Sequence, residues 1–144
     1  MNRAIALTVG ILLLVSCVTA TVTPLHEAAR DGDLPRAERE ASRGANLDAK
    51  DEQGRTPLHY TAANGDTAIA EWLVAAGADP NVADAEGNTP LHYAASNCYA
   101  SIVELLLAAG ADPEAINDDG ETAGNVARES GCEELAAMLR TAVE

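Results

Sequence analysis

The chain has 144 residues, with 9 Lys and Arg against 23 Asp and Glu, so its formal net charge is −14. Binding to nucleic acid or to anionic lipid headgroups needs cations that displace counterions, and this composition excludes both as general partners. From Thr56 through Ala127 there are eleven carboxylates and no Lys or Arg. This acidic body favours a protein partner with a basic surface; the alternative is that the acidity only keeps the protein soluble.

The first twenty residues have the layout of a secretory signal peptide. Arg3 precedes an uncharged apolar run over residues 4–15, which is too short to span a bilayer comfortably. Leu14-Val15-Ser16-Cys17 resembles the lipobox of bacterial lipoproteins. The resemblance implies cleavage before Cys17 and acylation of that cysteine. The alternative is ordinary cleavage after Ala20.

The lipobox resemblance divides the chain and predicts its location. Residues 1–16 would be the signal peptide, residues 17–22 the lipidated N-terminus with a short tether, and residues 23–144 the folded domain. Several acyl chains would hold the protein to a membrane essentially permanently, with no other membrane contact. Val18 stands where Asp is a signal for inner-membrane retention in some bacteria. We therefore expect a protein of the cell envelope, anchored in the outer membrane and facing the periplasm.

The folded domain has an internal repeat of 33 residues. Thr-Pro-Leu-His occurs at 23–26, 56–59 and 89–92, and a weaker copy begins at Thr122. Other markers keep the same register, namely Gly54, Gly87 and Gly120 before the motif and Gly44, Gly77 and Gly110 after it. A fixed period of this length predicts stacked repeats rather than a single globular core.

Each repeat predicts a turn followed by two helices. Residues 51–54 carry Asp at the first and Gly at the fourth position of a tight turn, which makes a hairpin tip. Thr56 is suited to the N-cap and Pro57 to the first position of a helix that ends near residues 64–65. A second helix then has an apolar stripe at i, i+3 and i+4, formed by Ile69, Trp72 and Leu73 and, one repeat later, by Ile102, Leu105 and Leu106.

This combination of turn, Thr-Pro-Leu-His helix, second helix and Gly-Ala-Asp exit resembles the ankyrin repeat and covers residues 23–144. The resemblance implies an all-α repeat solenoid with hairpin loops, of about four units at 23–49, 50–82, 83–115 and 116–144. Terminal units are expected to be polar caps. The first has Arg39 and Glu40 in place of the apolar pair, while the last loses Pro-Leu-His but keeps Leu135, Met138 and Leu139 facing inward.

In ankyrin-like proteins, the hairpin tips and the exposed side of each first helix form a concave recognition face. Tyr60 and Tyr93 occupy equivalent positions on it, either as aromatic contacts for a partner or as ordinary packing residues. The resemblance implies the following partner-binding residues: Lys50, Glu52, Gln53, Arg55, Tyr60, Asn64, Glu86, Asn88, Tyr93, Ser96, Asn97, Asp118, Asp119, Glu121 and Glu129.

The sequence predicts no catalytic residue, cofactor or metal site. His26, His59 and His92 share one register, so neighbouring repeats place them roughly 8 to 10 Å apart, too far to share a zinc ion. In ankyrin repeats this His hydrogen-bonds the turn backbone between units, and the resemblance implies the same role here. The acidic stretch 117–120 has Ala115 at the first ligand position of a calcium loop, which excludes that interpretation.

Cys98 and Cys132 raise the question of a disulfide bond. An oxidising compartment favours pairing. Cys98 lies between two helices, and Cys132 is one residue past the equivalent position of the next unit. Ideal stacking would leave their Cα atoms beyond the roughly 7 Å limit for a bridge, which disfavours pairing.

These features predict a monomeric, membrane-tethered binding module in the bacterial envelope that is not an enzyme. It would mediate a protein–protein interaction as an adaptor or modulator, including an inhibitor or immunity role. One alternative is a purely structural acidic spacer. Another is an accessory subunit of an envelope enzyme, although an open face of turns and short helices supplies no cleft with convergent titratable groups.

Overall fold

A computed structural model describes residues 21–144, so Cys17 and the lipobox lie outside the described residues. This part of the chain contains eight α-helices in four pairs and no strand. The pairs are α1 Pro24–Asp31 and α2 Leu34–Ser42, α3 Pro57–Asn64 and α4 Thr67–Ala75, α5 Pro90–Ser96 and α6 Ala100–Ala108, and α7 Ala123–Glu129 and α8 Glu133–Thr141. The predicted all-α repeat solenoid is confirmed.

The first helix of every pair begins in the same way. In α3, Thr56 and His59 form a reciprocal capping box. The Thr56 side chain lies at the backbone N–H of His59, and the His59 ring accepts from the backbone N–H of Thr56. Pro57 follows with no N–H to satisfy. In α7 the box is made by Thr122 and Asn125, since an amide oxygen can accept the same backbone N–H.

The helix pairs stack side by side along the chain. The first helices α1, α3, α5 and α7 pack each on the next, and the second helices α2, α4 and α6 form a row behind them. Between the rows lies one apolar core that continues through the last unit, with a smaller cluster of Leu25, Ala28 and Ala37 at the N-terminal end. Each unit can therefore bury its apolar face only against its neighbours.

The two ends of the solenoid differ from its centre. In α2 only Ala37 is buried, because the polar helix has no leucine pair to contribute. In α8 Leu135 and Leu139 are buried and Met138 packs partly buried against the same core. Both ends therefore have the expected character of polar caps.

Hydrogen bonds hold the hairpin loops in line along one edge. The Ala85 N–H donates to the Gln53 carbonyl at 2.9 Å, and the Asp118 N–H donates to the Glu86 carbonyl at 3.0 Å. Consecutive tips are thereby fixed relative to each other, and their side chains form one continuous surface. Within residues 21–144, no helix has the length and apolar character needed to cross a membrane.

Candidate protein-interaction surface

Buried histidines join each first helix to the next hairpin. His59 Nδ1 accepts from the Thr56 N–H at 3.0 Å, so the ring proton must lie on Nε2, which donates to the Asn88 carbonyl at 2.9 Å. The same bridge links His26 to the Arg55 carbonyl at 2.9 Å and His92 to the Glu121 carbonyl at 3.0 Å. The predicted structural role of these residues is confirmed. Burial lowers the pKa of His59.

An aspartate organises the hairpin of the second unit. Asp51 Oδ1 accepts from the backbone N–H groups of Gln53 and Arg55, each at 2.9 Å, and Oδ2 accepts from the Tyr60 hydroxyl at 2.6 Å. Burial acts to raise the pKa of Asp51, but these hydrogen bonds to the carboxylate outweigh burial and lower it. The tip is therefore fixed to the helix that follows it.

The third unit repeats this arrangement. Asp84 Oδ1 accepts from the N–H groups of Glu86 at 3.0 Å and Asn88 at 2.9 Å, and the Tyr93 hydroxyl donates to Oδ2 at 2.6 Å. Burial, together with the hydrogen bond to Asp84, raises the pKa of Tyr93. Its proton is therefore retained at neutral pH, and the tyrosine stays a donor.

Both tyrosines also pack against the histidine of the preceding unit. The ring centroids of Tyr60 and His26 are 5.8 Å apart, and those of Tyr93 and His59 are 5.6 Å apart, edge to face in each case. Each tyrosine is nevertheless only half-buried. They consequently serve the packing of the units while leaving part of the ring on the surface.

Five of the predicted partner-binding residues meet around one surface cavity of about 230 Å³ between the third and fourth units. These residues are Asn88, Tyr93, Ser96, Asp119 and Glu121. Arg55, Tyr60 and Gln53 form a second group one unit earlier, because Arg55 lies over the Tyr60 ring and donates to Gln53. Lys50, Glu52, Glu86 and Asp118 are exposed at the same edge.

Three predicted residues lie away from the hairpin tips. Asn64 is the last residue of α3, Asn97 follows α5, and Glu129 is the last residue of α7. These helices have seven or eight residues, so their ends are on the order of 10 Å from the tips. Asn64 donates to the Arg30 carbonyl of the preceding unit at 2.8 Å, which gives it a structural contact.

Asn117 belongs to this surface although its side chain was not among the predicted contacts. It replaces the hairpin aspartate in the fourth unit, and its amide oxygen accepts from the N–H groups of Asp119 and Glu121, each at 3.0 Å. Its amide nitrogen donates to Asn88 Oδ1 at 3.1 Å. The 33-residue spacing of positions 51, 84 and 117 could have predicted that the side-chain oxygen of Asn117 organises its hairpin.

Cys98 and Cys132 are joined in the structure, with their Cα atoms 5.7 Å apart. The expectation that stacking would hold them beyond bridging distance is wrong. Cys98 has a left-handed backbone, φ 59°, which directs its Cβ towards the residue 34 positions later. The same direction applies in the earlier units, where a Cβ on Gly65 would lie 2.8 Å from Cζ of Tyr99.

Within the described residues, no cluster of three or more His, Cys, Asp or Glu side chains is placed to hold a metal ion. A larger cavity, about 520 Å³, lies between α7 and α8 and is lined by Asn125, Leu139 and Val143 among others. It is lined by residues of the fourth unit and of the loop that precedes it.

Comparison with known proteins agrees with this architecture. The family model described as Ankyrin repeats (3 copies) matches residues 8–84, 25–117 and 82–142, while a search of curated proteins gives no match. Ankyrin repeats are generally protein–protein interaction modules and are typically not enzymes, which points to a protein partner. By its repeat sequence and its helical architecture, the chain belongs to the ankyrin-repeat family.

Proposed function

We propose that this protein is a non-catalytic binding module of the bacterial cell envelope that recognises the basic surface of another envelope protein and modulates or inhibits it. The observation that carries the proposal is the acidic face, which we define as Glu86, Asp118, Asp119 and Glu121. These residues lie on consecutive hairpin tips whose backbones are hydrogen-bonded in line. The backbone positions that carry these carboxylates are therefore fixed relative to each other.

The charge of the acidic face is not neutralised by its surroundings. In the described part of the chain, all five salt bridges lie between residues 27 and 55. The sequence from Thr56 through Ala127 contains no Lys or Arg. Glu86, Asp118 and Asp119 are exposed, so their field extends into solvent. A basic partner surface would complement this field and would be steered towards it.

The proposed location rests on the N-terminal sequence. Leu14-Val15-Ser16-Cys17 resembles a lipobox, and lipidation of Cys17 would place the repeats a few residues from a membrane surface. The Cys98–Cys132 bond supports an oxidising compartment, because disulfides are rare where glutathione keeps thiols reduced. Both features favour the periplasm, with the outer membrane as the site of the anchor.

Capture of a partner from envelope extract tests the proposal. The lipidated protein would be compared with a variant carrying Glu86→Lys and Asp119→Lys, which we expect to associate more slowly while keeping its helical signal. The matched control carries Glu71→Lys and Glu104→Lys, exposed positions on α4 and α6 with the same total charge change.

The outcomes separate the hypotheses. Recognition by the acidic face predicts one stoichiometric partner, which is lost only in the first variant. Capture of this partner should also weaken as salt rises, because screening shortens the Debye length to about 8 Å near physiological salt. Equal loss of partner capture in both variants would show that capture depends on net charge and not on the acidic face. Absence of any stoichiometric partner would instead support a structural spacer.

A further inference from the structure

The second unit shows how this scaffold holds a guanidinium group. Arg55 Cζ lies 4.9 Å from the ring centroid of Tyr60, within the range of a cation–π contact. Its Nε is 3.4 Å from Asp51 Oδ2, and Nη2 donates to Gln53 Oε1 at 2.9 Å. The second unit therefore supplies its own cation to its tyrosine ring and its hairpin carboxylate.

The third unit keeps the tyrosine and the carboxylate but not the cation. Tyr93 and Asp84 make the same 2.6 Å hydrogen bond as their counterparts one unit earlier. At the position of Arg55 stands Asn88, a shorter and neutral residue. Within residues 21–144, Asp84 consequently has no salt-bridge partner.

A cavity of about 230 Å³ is lined by Tyr93 of this pair but not by Asp84. Asn88 and Tyr93 line it from the third unit, and Asp119 and Glu121 line it from the fourth. We call it the Tyr93 cavity. Asn88 Oδ1 already accepts from Asn117 at 3.1 Å, so the carboxylates of Asp119 and Glu121, together with the Ser96 hydroxyl, are the acceptors that face a ligand beside the Tyr93 ring.

We infer that the Tyr93 cavity binds the guanidinium group of an arginine side chain on the protein partner, which would stack on Tyr93 as Arg55 stacks on Tyr60 and would pair with the carboxylates of the fourth unit. The inference rests on the proposed function, because it names the group by which a basic partner would be recognised. Arginine fits better than lysine, since its planar fork both stacks on an aromatic ring and donates to carboxylates at fixed angles.

A single substitution gives the third unit the cation that the second unit already has. Asn88→Arg preserves the backbone bonds of that position, because Arg55 makes the same ones: its N–H donates to the hairpin aspartate and its carbonyl accepts from a histidine. The new side chain should stack on Tyr93 and fill the cavity from within. The variant should therefore stay folded and lose the site.

The test is an NMR titration of the full chain with N-acetyl-L-arginine N-methylamide. We expect amide shift changes at Asn88, Tyr93 and Glu121, and weaker effects from the lysine analogue and from neutral citrulline. Tyr93→Leu should weaken binding about 2- to 30-fold, the factor that a cation over an aromatic ring contributes. Tyr60→Leu is the matched control and should leave binding at the Tyr93 cavity unchanged.

A gain of binding gives the strongest check. Arg55→Ala should open a second site, with new shift changes around Tyr60 in addition to those around Tyr93. No shift change at Tyr93 in the unmodified protein, or equal binding of the lysine analogue, would overturn the inference. Persistence of binding in the Asn88→Arg variant would overturn it as well.

Partner capture keeps this inference separate from the proposed function. If Asn88→Arg blocks the arginine probe and reduces partner capture, the partner uses the Tyr93 cavity. If it blocks the probe but capture is unchanged, the partner binds without this arginine contact, and the inference fails while the proposed function stands. If no partner is captured by any form of the protein, the proposed function fails, and the claim about a partner arginine fails with it.

Discussion

Removal of the Cys98–Cys132 bond should destabilise the C-terminal unit more than any other part of the domain. The two cysteines are 34 residues apart in sequence, and the bond ties α7 and α8 to the third unit. In the chain-entropy model, a loop of this length limits the unfolded state enough to stabilise the folded state by about 4 kcal/mol. The Cys98→Ala/Cys132→Ala variant should lose about that amount.

The backbone at position 98 supplies a matched second variant. Cys98 has φ 59°, where an L residue costs about 1 to 2 kcal/mol, whereas Gly65 holds the equivalent position with φ 76°. Cys98→Gly/Cys132→Ala loses the same cross-link but relieves this strain. It should therefore be more stable than the double-alanine variant by about 1 kcal/mol while remaining less stable than the unmodified protein.

Urea unfolding followed by circular dichroism would rank the three proteins, and hydrogen exchange would locate the effect. In the unmodified protein, a reducing agent should speed exchange in α7 and α8 before it does so in α5 and α6, because units of a solenoid open from their ends. An unfolding midpoint that is indifferent to the reducing agent, together with wild-type stability of the double-alanine variant, would refute the reasoning.

Three further predictions address the core, the histidine bridge and the anchor. Leu106→Ala should cost about 2 to 5 kcal/mol because that side chain is fully buried, and Leu105→Ala should cost less because it is only half-buried; urea unfolding of both checks the register of α6. Burial lowers the pKa of His59, so the unfolded chain takes up a proton at a higher pH than the folded chain does. Stability should therefore fall as the pH drops below about 6.5, and His59→Asn should remove that part of the slope of unfolding free energy against pH. Cys17→Ser should abolish acylation in intact-mass measurements, whereas a mature N-terminus at Thr21 without acyl mass in the unmodified protein would contradict lipidation.

The scaffold was predictable from sequence because its determinants are local and periodic. A threonine N-cap begins every first helix, and in α1 and α3 a proline at the first helical position and a glycine after the last turn complete the local signal. The 33-residue register then brings equivalent residues together. The bridge from His59 to the Asn88 carbonyl was expected from the family resemblance, and it spans the same 29 residues in each of the three units that carry a histidine.

The disulfide and the stacking of Arg55 on Tyr60 could not be predicted from the sequence, because both depend on side-chain directions that the 33-residue spacing does not specify. Ideal stacking predicted a separation too large for a bridge, whereas the left-handed backbone of Cys98 turns its side chain towards a residue 34 positions later. Likewise, the sequence placed Arg55 and Tyr60 on one face as separate candidate contacts. Their stacking, which makes Arg55 an internal partner of Tyr60, required the positions of the side chains.

The position occupied by Arg55, Asn88 and Glu121 explains how a repeated scaffold can carry a non-repeated surface. In each unit its carbonyl accepts from the preceding histidine, so the backbone of this position serves the stacking of the units. The side chain is not needed for that contact and is free to vary, from cationic to neutral to anionic along the solenoid. Because the histidine bridge fixes each backbone, these three side chains keep fixed positions along the solenoid. In two of the three units a tyrosine lies in the helix that follows. Under the proposed function, recognition of a basic partner would change at this position without loss of the fold, and the change from Arg55 to Asn88 leaves Tyr93 without a cation from its own unit.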